Sequence, residues 1–385
     1  MVVRNSPGGK KRLAVVAIDL FCGCGGLTWG LQKAGVHVRM GIDINENCRL
    51  TFKLNNRGTK FLTCDLRNVS PRQILKEIEI DPSDHLLVAA CAPCQPFSAQ
   101  NRFKEASSDR TVLIQVQRLI RALQPDFVML ENVPGVLSVP GYSAFRRVLW
   151  CLNRLKYKTS VEKIDVVFYG VPQSRKRVVL LASVHPGLDF PKPTHGIGGG
   201  LLPLRTVRDT ILRFPPIEAG QAHPIVANHV AGRLSEKNLQ RIRLTPPDGG
   251  TRRGWPKEMV LSCHRSHKGH TDVYGRLRWD APAPTLTTKC TSLSNGRYGH
   301  PEQDRALSLR EAAALQGFDD EFVFYGAYDH IRQQIGNAVP PILAQTFGRH
   351  IVEFASVCNG SRKRTAWRKL CDAQDDDNPL NEVLL

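Results

Sequence analysis

Two kinds of apolar spacing alternate along the first half of the chain. Continuous apolar runs read as buried strands: "RLAVVAIDLF", "VHVRMGID" ending at Asp43, a short run before "CDLRNV", "HLLVAAC", "DFVMLE" and "RKRVVLLAS". Between them, helical spacing appears from about Leu27 to Lys33, from Thr111 to Leu123, and over "AFRRVLWCLNRL". Strands alternating with helices predict an α/β fold, a doubly wound and mostly parallel sheet. In such sheets the working groups stand at the carboxyl ends of the strands. Asp19, Asp43, Asp65, Cys94 and Glu131 all fall at or just past predicted strand ends.

The pattern breaks near Ser183. Residues 184–300 are rich in Pro, Gly, His and Arg and show little periodicity. Order returns after Arg305: "SLREAAALQGF" has a Ser N-cap and Gly317 as a stop, and "QQIGNAVPPILAQTFGRHIVEFA" reads as a loop and then a long helix. The predicted division is a basic tail over 1–12, an α/β domain over 13–183, an inserted irregular lobe over 184–300, a segment over 301–358 that completes the α/β domain, and a mobile tail over 359–385.

Charge changes the picture. The 385 residues carry a net charge of +18. The lobe holds 17 Lys or Arg against 8 Asp or Glu, half the excess in under a third of the length, and eight of the twelve histidines. That balance points to a polyanion, nucleic acid before membrane. No apolar run approaches the ~20 residues of a membrane span. The eleven cysteines follow no framework pattern and read as reduced thiols in a cytoplasmic protein.

Two stretches carry candidate chemistry. "DLFCGCGGLTWG" follows a strand and opens a helix; Gly23, Gly25 and Gly26 let a cofactor approach the backbone, but Thr28 breaks the dinucleotide fingerprint. Asp43 stands where a carboxylate accepts from ribose hydroxyls. With no phosphate cradle in sight, a nucleoside cofactor such as S-adenosylmethionine fits. "VAACAPCQPFSAQ" holds Cys91 and Cys94. A redox pair is disfavoured by Pro96. A zinc site would need a second pair, and Cys22 with Cys24 offers poor geometry. The remaining reading makes Cys94 a nucleophile in a loop and Cys91 a packed strand residue. "CHRSHKGH" (263–270) reads as phosphate-contacting loop, and no metal site is expected.

Six segments in order, "DLFCGCGG", "PCQPFS", "ENVPG", "QSRKR", "LSLREAAALQGF" and "QIGNAVPP", resemble the motif set of the cytosine-5 DNA methyltransferases of the prokaryotic restriction-modification kind, over about residues 13–357. The resemblance implies the S-adenosylmethionine-dependent methyltransferase fold, with the lobe as target-recognition domain. It implies Cys94 as the thiolate that adds to cytosine carbon 6, Glu131 as an acid near N3, Arg177 on the carbonyl oxygen, and Arg175 as electrostatic support. Phe21, Asp43, Asp65, Pro93, Asn337 and Ala338, with the three glycines, match the cofactor-binding positions; Ile44 stands where many relatives carry an aromatic. Gln95, Ser98, Gln100, Arg102, Gln173, Arg276, Arg278 and Arg297 are the candidate DNA contacts. The implied partners are duplex DNA, with its target base flipped out, and a cognate restriction endonuclease; the protein would act as a monomer at the bacterial nucleoid. A tRNA cytosine-5 methyltransferase and a non-catalytic DNA-binding protein are the alternatives on the same scaffold.

Overall fold

The buried runs of the first half become the strands of one sheet. The computed structural model describes residues 14–78, 80–81, 83–92, 112–138, 143–262, 272–358 and 360. The strands are β1 (Val15–Leu20), β2 (His37–Asp43), β3 (Lys60–Thr63), β4 (His85–Cys91), β5 (Phe127–Asn132), β6 (Lys158–Asp165) and β7 (Lys176–Ser183). They stand in the order β3-β2-β1-β4-β5-β7-β6. The first five pair in parallel, and β7 runs antiparallel to both of its neighbours.

Continuous apolar strands follow from a sheet covered on both faces. Ile18, Leu20, Val88, Ala90, Val128 and Leu130 pack into one core with α3 (Pro71–Glu77), α4 (Val112–Leu123) and α6 (Ser143–Arg154). The alternate residues Ala17, Leu87, Ala89, Phe127 and Met129 pack into another with α1 (Gly26–Lys33) and α11 (Pro341–Val357). Helix α2 (Arg49–Asn55) lies between β2 and β3, and α5 (Gly135–Ser138) follows β5.

The remaining helices belong to the second body: α7 (Val207–Ile211), α8 (Glu236–Arg243), α9 (Leu309–Leu315) and α10 (Tyr328–Asn337). Its core joins Val207, Ile211, Leu277, Trp279 and Leu286 to Leu307, Leu315, Phe318, Phe322 and Ile335. It therefore runs across the expected boundary at residue 300. Helix α9 starts on the predicted Ser308, which forms a reciprocal capping box with Glu311. Two elements differ from the sequence reading. Strand β6 was not expected: it is an edge strand with much of its length exposed, and polar residues dilute its alternation. "QQIGN" is not a loop but the last turns of α10, and only the short link to Pro341 is irregular. Among the described residues no helix is long and apolar enough to cross a membrane.

Candidate active site

The strand order reverses between β1 and β4, and a cavity of about 230 Å³ opens near the carboxyl ends of those strands. Phe21, Gly23 and Gly26 line it after β1, Asp43 and Asn45 at the end of β2, Cys91 and Ala92 at the end of β4, and Gln334, Asn337 and Ala338 at the end of α10. The turn needs its glycines. Gly25 has a φ of +93°, and a Cβ on Gly26 would stand 2.7 Å from the Val339 carbonyl oxygen. The two oxygens of Asp43 accept backbone N–H bonds from Gly23 and Asn45, each at 2.8 Å. Burial pushes the Asp43 pKa up, and those N–H bonds oppose the rise. An aromatic face, a fixed carboxylate and a wall without Cβ atoms suit a nucleoside.

Other acidic positions behave differently. Asp19 is fully buried behind the turn, accepts from the Thr28 hydroxyl at 2.7 Å, and is not a wall of the cavity. Burial raises its pKa to about 7. Asp65 is not a wall either: its carboxylate accepts from the Arg67 amide at 2.9 Å and from the Arg67 guanidinium, which holds its pKa down. Ile44 is 66% exposed and lies off the cavity.

Charged groups meet one strand further on. Cys91 and Glu131 are register partners across β4 and β5. The Cys91 thiol donates to Glu131 Oε2 at 2.9 Å, and Arg177 Nε lies 2.6 Å from Glu131 Oε1. Glu131 and Arg177 are 4% and 9% exposed, so the pair is largely screened from water. The antiparallel course of β7 explains how they meet: it begins at the edge where β5 ends, so Arg177 arrives beside Glu131. Asn132 donates to the Ala92 carbonyl at 3.2 Å and fixes the exit of β4. Cys91 is thus more than the packed strand residue expected, because it bridges the cavity and Glu131. Its in-register position opposite Glu131 is invisible without the strand pairing.

Gln173 is fully buried. Its amide donates to Gln316 Oε1 at 2.7 Å, and its oxygen accepts from the Leu286 amide at 2.8 Å. It is a clamp between the sheet and the lobe, which corrects the expected DNA contact. Arg175, also buried, donates to the carbonyls of Leu286 and Gly336. It ties the same junction. Arg276, 2% exposed, donates to the carbonyls of Thr245, His300, Gln303 and Ile242 and pairs with Asp304, so it is a lobe staple and no DNA contact. Arg297 is mostly buried on the Gly249 carbonyl and Asp272. Arg278 alone of these four is exposed. Pro93, Cys94, Gln95, Ser98, Gln100 and Arg102 lie outside the described residues, as does 263–270. Cys22 and Cys24 are buried free thiols, and burial pushes the Cys24 pKa up to about 12, far from a ligand thiolate.

A family model described as C-5 cytosine-specific DNA methylase matches residues 15–353. The chain is 38% identical to the Type II methylase M.HgiDII of Herpetosiphon aurantiacus, over 88% of this chain and 95% of that protein. It is 30% identical to the Type II methyltransferase M1.HphI of Haemophilus parahaemolyticus, over 89% and 87%. A solved E. coli structure, described as a prophage-encoded DNA modification methyltransferase, superposes with a TM-score of 0.70 at 22% identity, over 88% of this chain and 99% of that one. With the sheet order, the Glu131–Arg177 pair and these matches in place, the chain belongs to the C-5 cytosine-specific DNA methylase family and is a DNA (cytosine-5)-methyltransferase.

Proposed function

We propose that the protein transfers a methyl group from S-adenosylmethionine to carbon 5 of a cytosine turned out of a specific duplex sequence, through a covalent adduct with Cys94. The observation that carries this reading is the chain of contacts Cys91–Glu131–Arg177, which joins the cavity to a buried carboxylate–guanidinium pair. Cys94 follows Cys91 by three residues in the sequence.

S-adenosylmethionine, when bound, supplies an electrophilic methyl group. Phe21 would face its adenine, Asp43 its ribose hydroxyls, and Asn337 and Ala338 its amino-acid end. Asp65 is not carried forward, because its carboxylate is turned to Arg67. On the base side, the Cys94 thiolate forms a bond to carbon 6, and the ring electrons move toward carbon 5 and N3. Glu131 holds a proton at N3, and Arg177 donates to the carbonyl oxygen, where its positive charge stabilises the negative charge that develops. Both groups have partners that a base can replace: N3 displaces the Cys91 thiol, and the carbonyl oxygen draws one guanidinium N–H. After transfer a base removes the carbon 5 proton and the thiolate leaves. Glu131 is too deeply buried to meet a stacked base, which is why flipping is needed.

The exposed Arg278, and in sequence Gln95, Ser98, Gln100 and Arg102, are the proposed DNA-facing residues of a monomer in the bacterial cytoplasm. The relatives named Type II methylases support a cognate endonuclease acting on the same site. The test is transfer of labelled methyl groups from S-adenosylmethionine to unmethylated duplex DNA, with the hydrolysed bases separated. Label in 5-methylcytosine, lost in Cys94→Ala, is the expected result. Label in RNA only, or label that persists in Cys94→Ala, contradicts the proposal.

A further inference from the structure

Opposite the reaction site, at the amino ends of the central strands, lies a second cluster. His85 opens β4, Asp126 directly precedes β5, and His185 follows the end of β7 by two residues. Because β7 runs against its neighbours, its last residues arrive where β4 and β5 begin. His85 and Asp126 are fully buried, and the His185 side chain is 21% exposed. One ligand atom of each lies within 4.8 Å of the others. His85 Nδ1 is 3.6 Å and His185 Nε2 is 3.8 Å from Asp126 Oδ1. Both separations are too long for a hydrogen bond. Neither ring nitrogen of His85, nor Nε2 of His185, makes a hydrogen bond. A buried imidazole left in that state is costly, and such groups call for an explanation.

The spacing supplies one. Ligand atoms bound ~2.1 Å from a tetrahedral zinc ion lie about 3.4 Å apart, so the two histidine–carboxylate separations need only a few tenths of an ångström of closure, and the two rings, with ligand atoms within 4.8 Å, would turn toward each other to complete it. We propose that His85, Asp126 and His185 bind one divalent transition-metal ion of the zinc type, with water as a fourth ligand, as a clamp that joins the amino ends of β4 and β5 to the carboxyl end of β7. The second oxygen of Asp126 accepts from the Leu86 amide at 2.8 Å, the outer bond that orients a ligating carboxylate. Burial lowers the His185 pKa, which favours the neutral imidazole that binds metal. The exposed part of His185 gives the ion a way in. No sequence motif announces the site, because its three residues are spread over a hundred positions. It takes no part in methyl transfer.

The experiment strips the full-length protein with a chelator, exchanges it into chelator-free buffer, and titrates it with Zn²⁺. Bound metal is counted by mass spectrometry, and unfolding is followed by circular dichroism. One equivalent of zinc, a raised Tm, and an affinity at least about tenfold weaker in His185→Gln are expected. Folded wild-type protein that takes up no zinc, or undiminished binding in His185→Gln, overturns the proposal. X-ray absorption at the zinc edge on the wild type keeps the test open if that variant does not fold. A shell of nitrogen and oxygen is expected, and a sulfur-dominated shell would assign the metal to thiols instead.

Discussion

Arg177 in the sheet and Arg276 in the lobe are both almost fully buried, yet their partners differ in kind. Arg177 turns Nε to the side chain of Glu131, which also takes the Cys91 thiol, and gives a single bond to a backbone carbonyl, that of the neighbouring Lys176. Arg276 spends its donors on four backbone carbonyls and Asp304. A side-chain partner can be exchanged for a substrate atom; a set of carbonyls that holds loops together cannot. The sheet thus buries charge where it can be re-used, and the lobe buries it in place of regular secondary structure. Arg310 repeats the second pattern on the carbonyls of Ala227, Asp319 and Phe322, while Arg305 adds a bidentate, fully buried pair with Glu311 to the carbonyls of Ile217 and Ala306.

The largest effect that sharpens this contrast is on rate. Glu131→Gln should lower kcat by roughly 10²–10⁴ while S-adenosylmethionine binding stays near wild type, because a general acid is lost; the Tm should fall as well, because Arg177 is left buried without its counter-charge. Single-turnover methylation beside calorimetry checks it. Arg276→Leu should act through stability alone: it leaves several carbonyls unpaired in a dry lobe and should cost about 3–5 kcal/mol. A chemical-denaturation curve reads that loss. An Arg276→Leu protein of unchanged stability and weakened DNA binding would break the comparison.

Much of the sheet half was legible because strands buried on both faces must be apolar throughout, and helices on either side must carry one apolar stripe. Strand β6 escaped because its edge position leaves it polar. In the lobe, composition reports charge but not burial. Arg276 and Arg297 read as candidate DNA contacts, and only the folded loops reveal the carbonyls they serve. Gln173 sat inside a motif and was read with it, although its own bonds go to Gln316 and Leu286. The role of Cys91 depends on register, which spacing along the chain cannot supply.

Asp19 tests the sheet half by pH. Its folded pKa is raised by burial to about 7, from an ordinary value of 3.8. The stability tied to its protonated form is complete below about pH 4 and is lost as the pH rises toward 7, on the order of 2–4 kcal/mol. Asp19→Asn should remove that slope, read as the difference between the two Tm-versus-pH curves. A smaller effect is expected at Asp43, where Asp43→Asn weakens two charge-assisted hydrogen bonds. S-adenosylmethionine affinity should fall by about 10- to 100-fold with little change in kcat, as measured by calorimetric titration. The smallest effect is at Arg278. Arg278→Ala should leave stability within about 0.5 kcal/mol and reduce the salt dependence of DNA binding by roughly one ion. Binding isotherms at several salt concentrations measure it.

The most direct measurement is bisulfite sequencing of DNA from cells that express the protein, beside cells that express Cys94→Ala. It reads both halves together, the chemistry of the sheet site and the sequence choice of the lobe. The account requires 5-methylcytosine confined to one short sequence context and absent from the Cys94→Ala cells. Methylation in those control cells, or none in cells holding folded wild-type protein that binds S-adenosylmethionine, would contradict it.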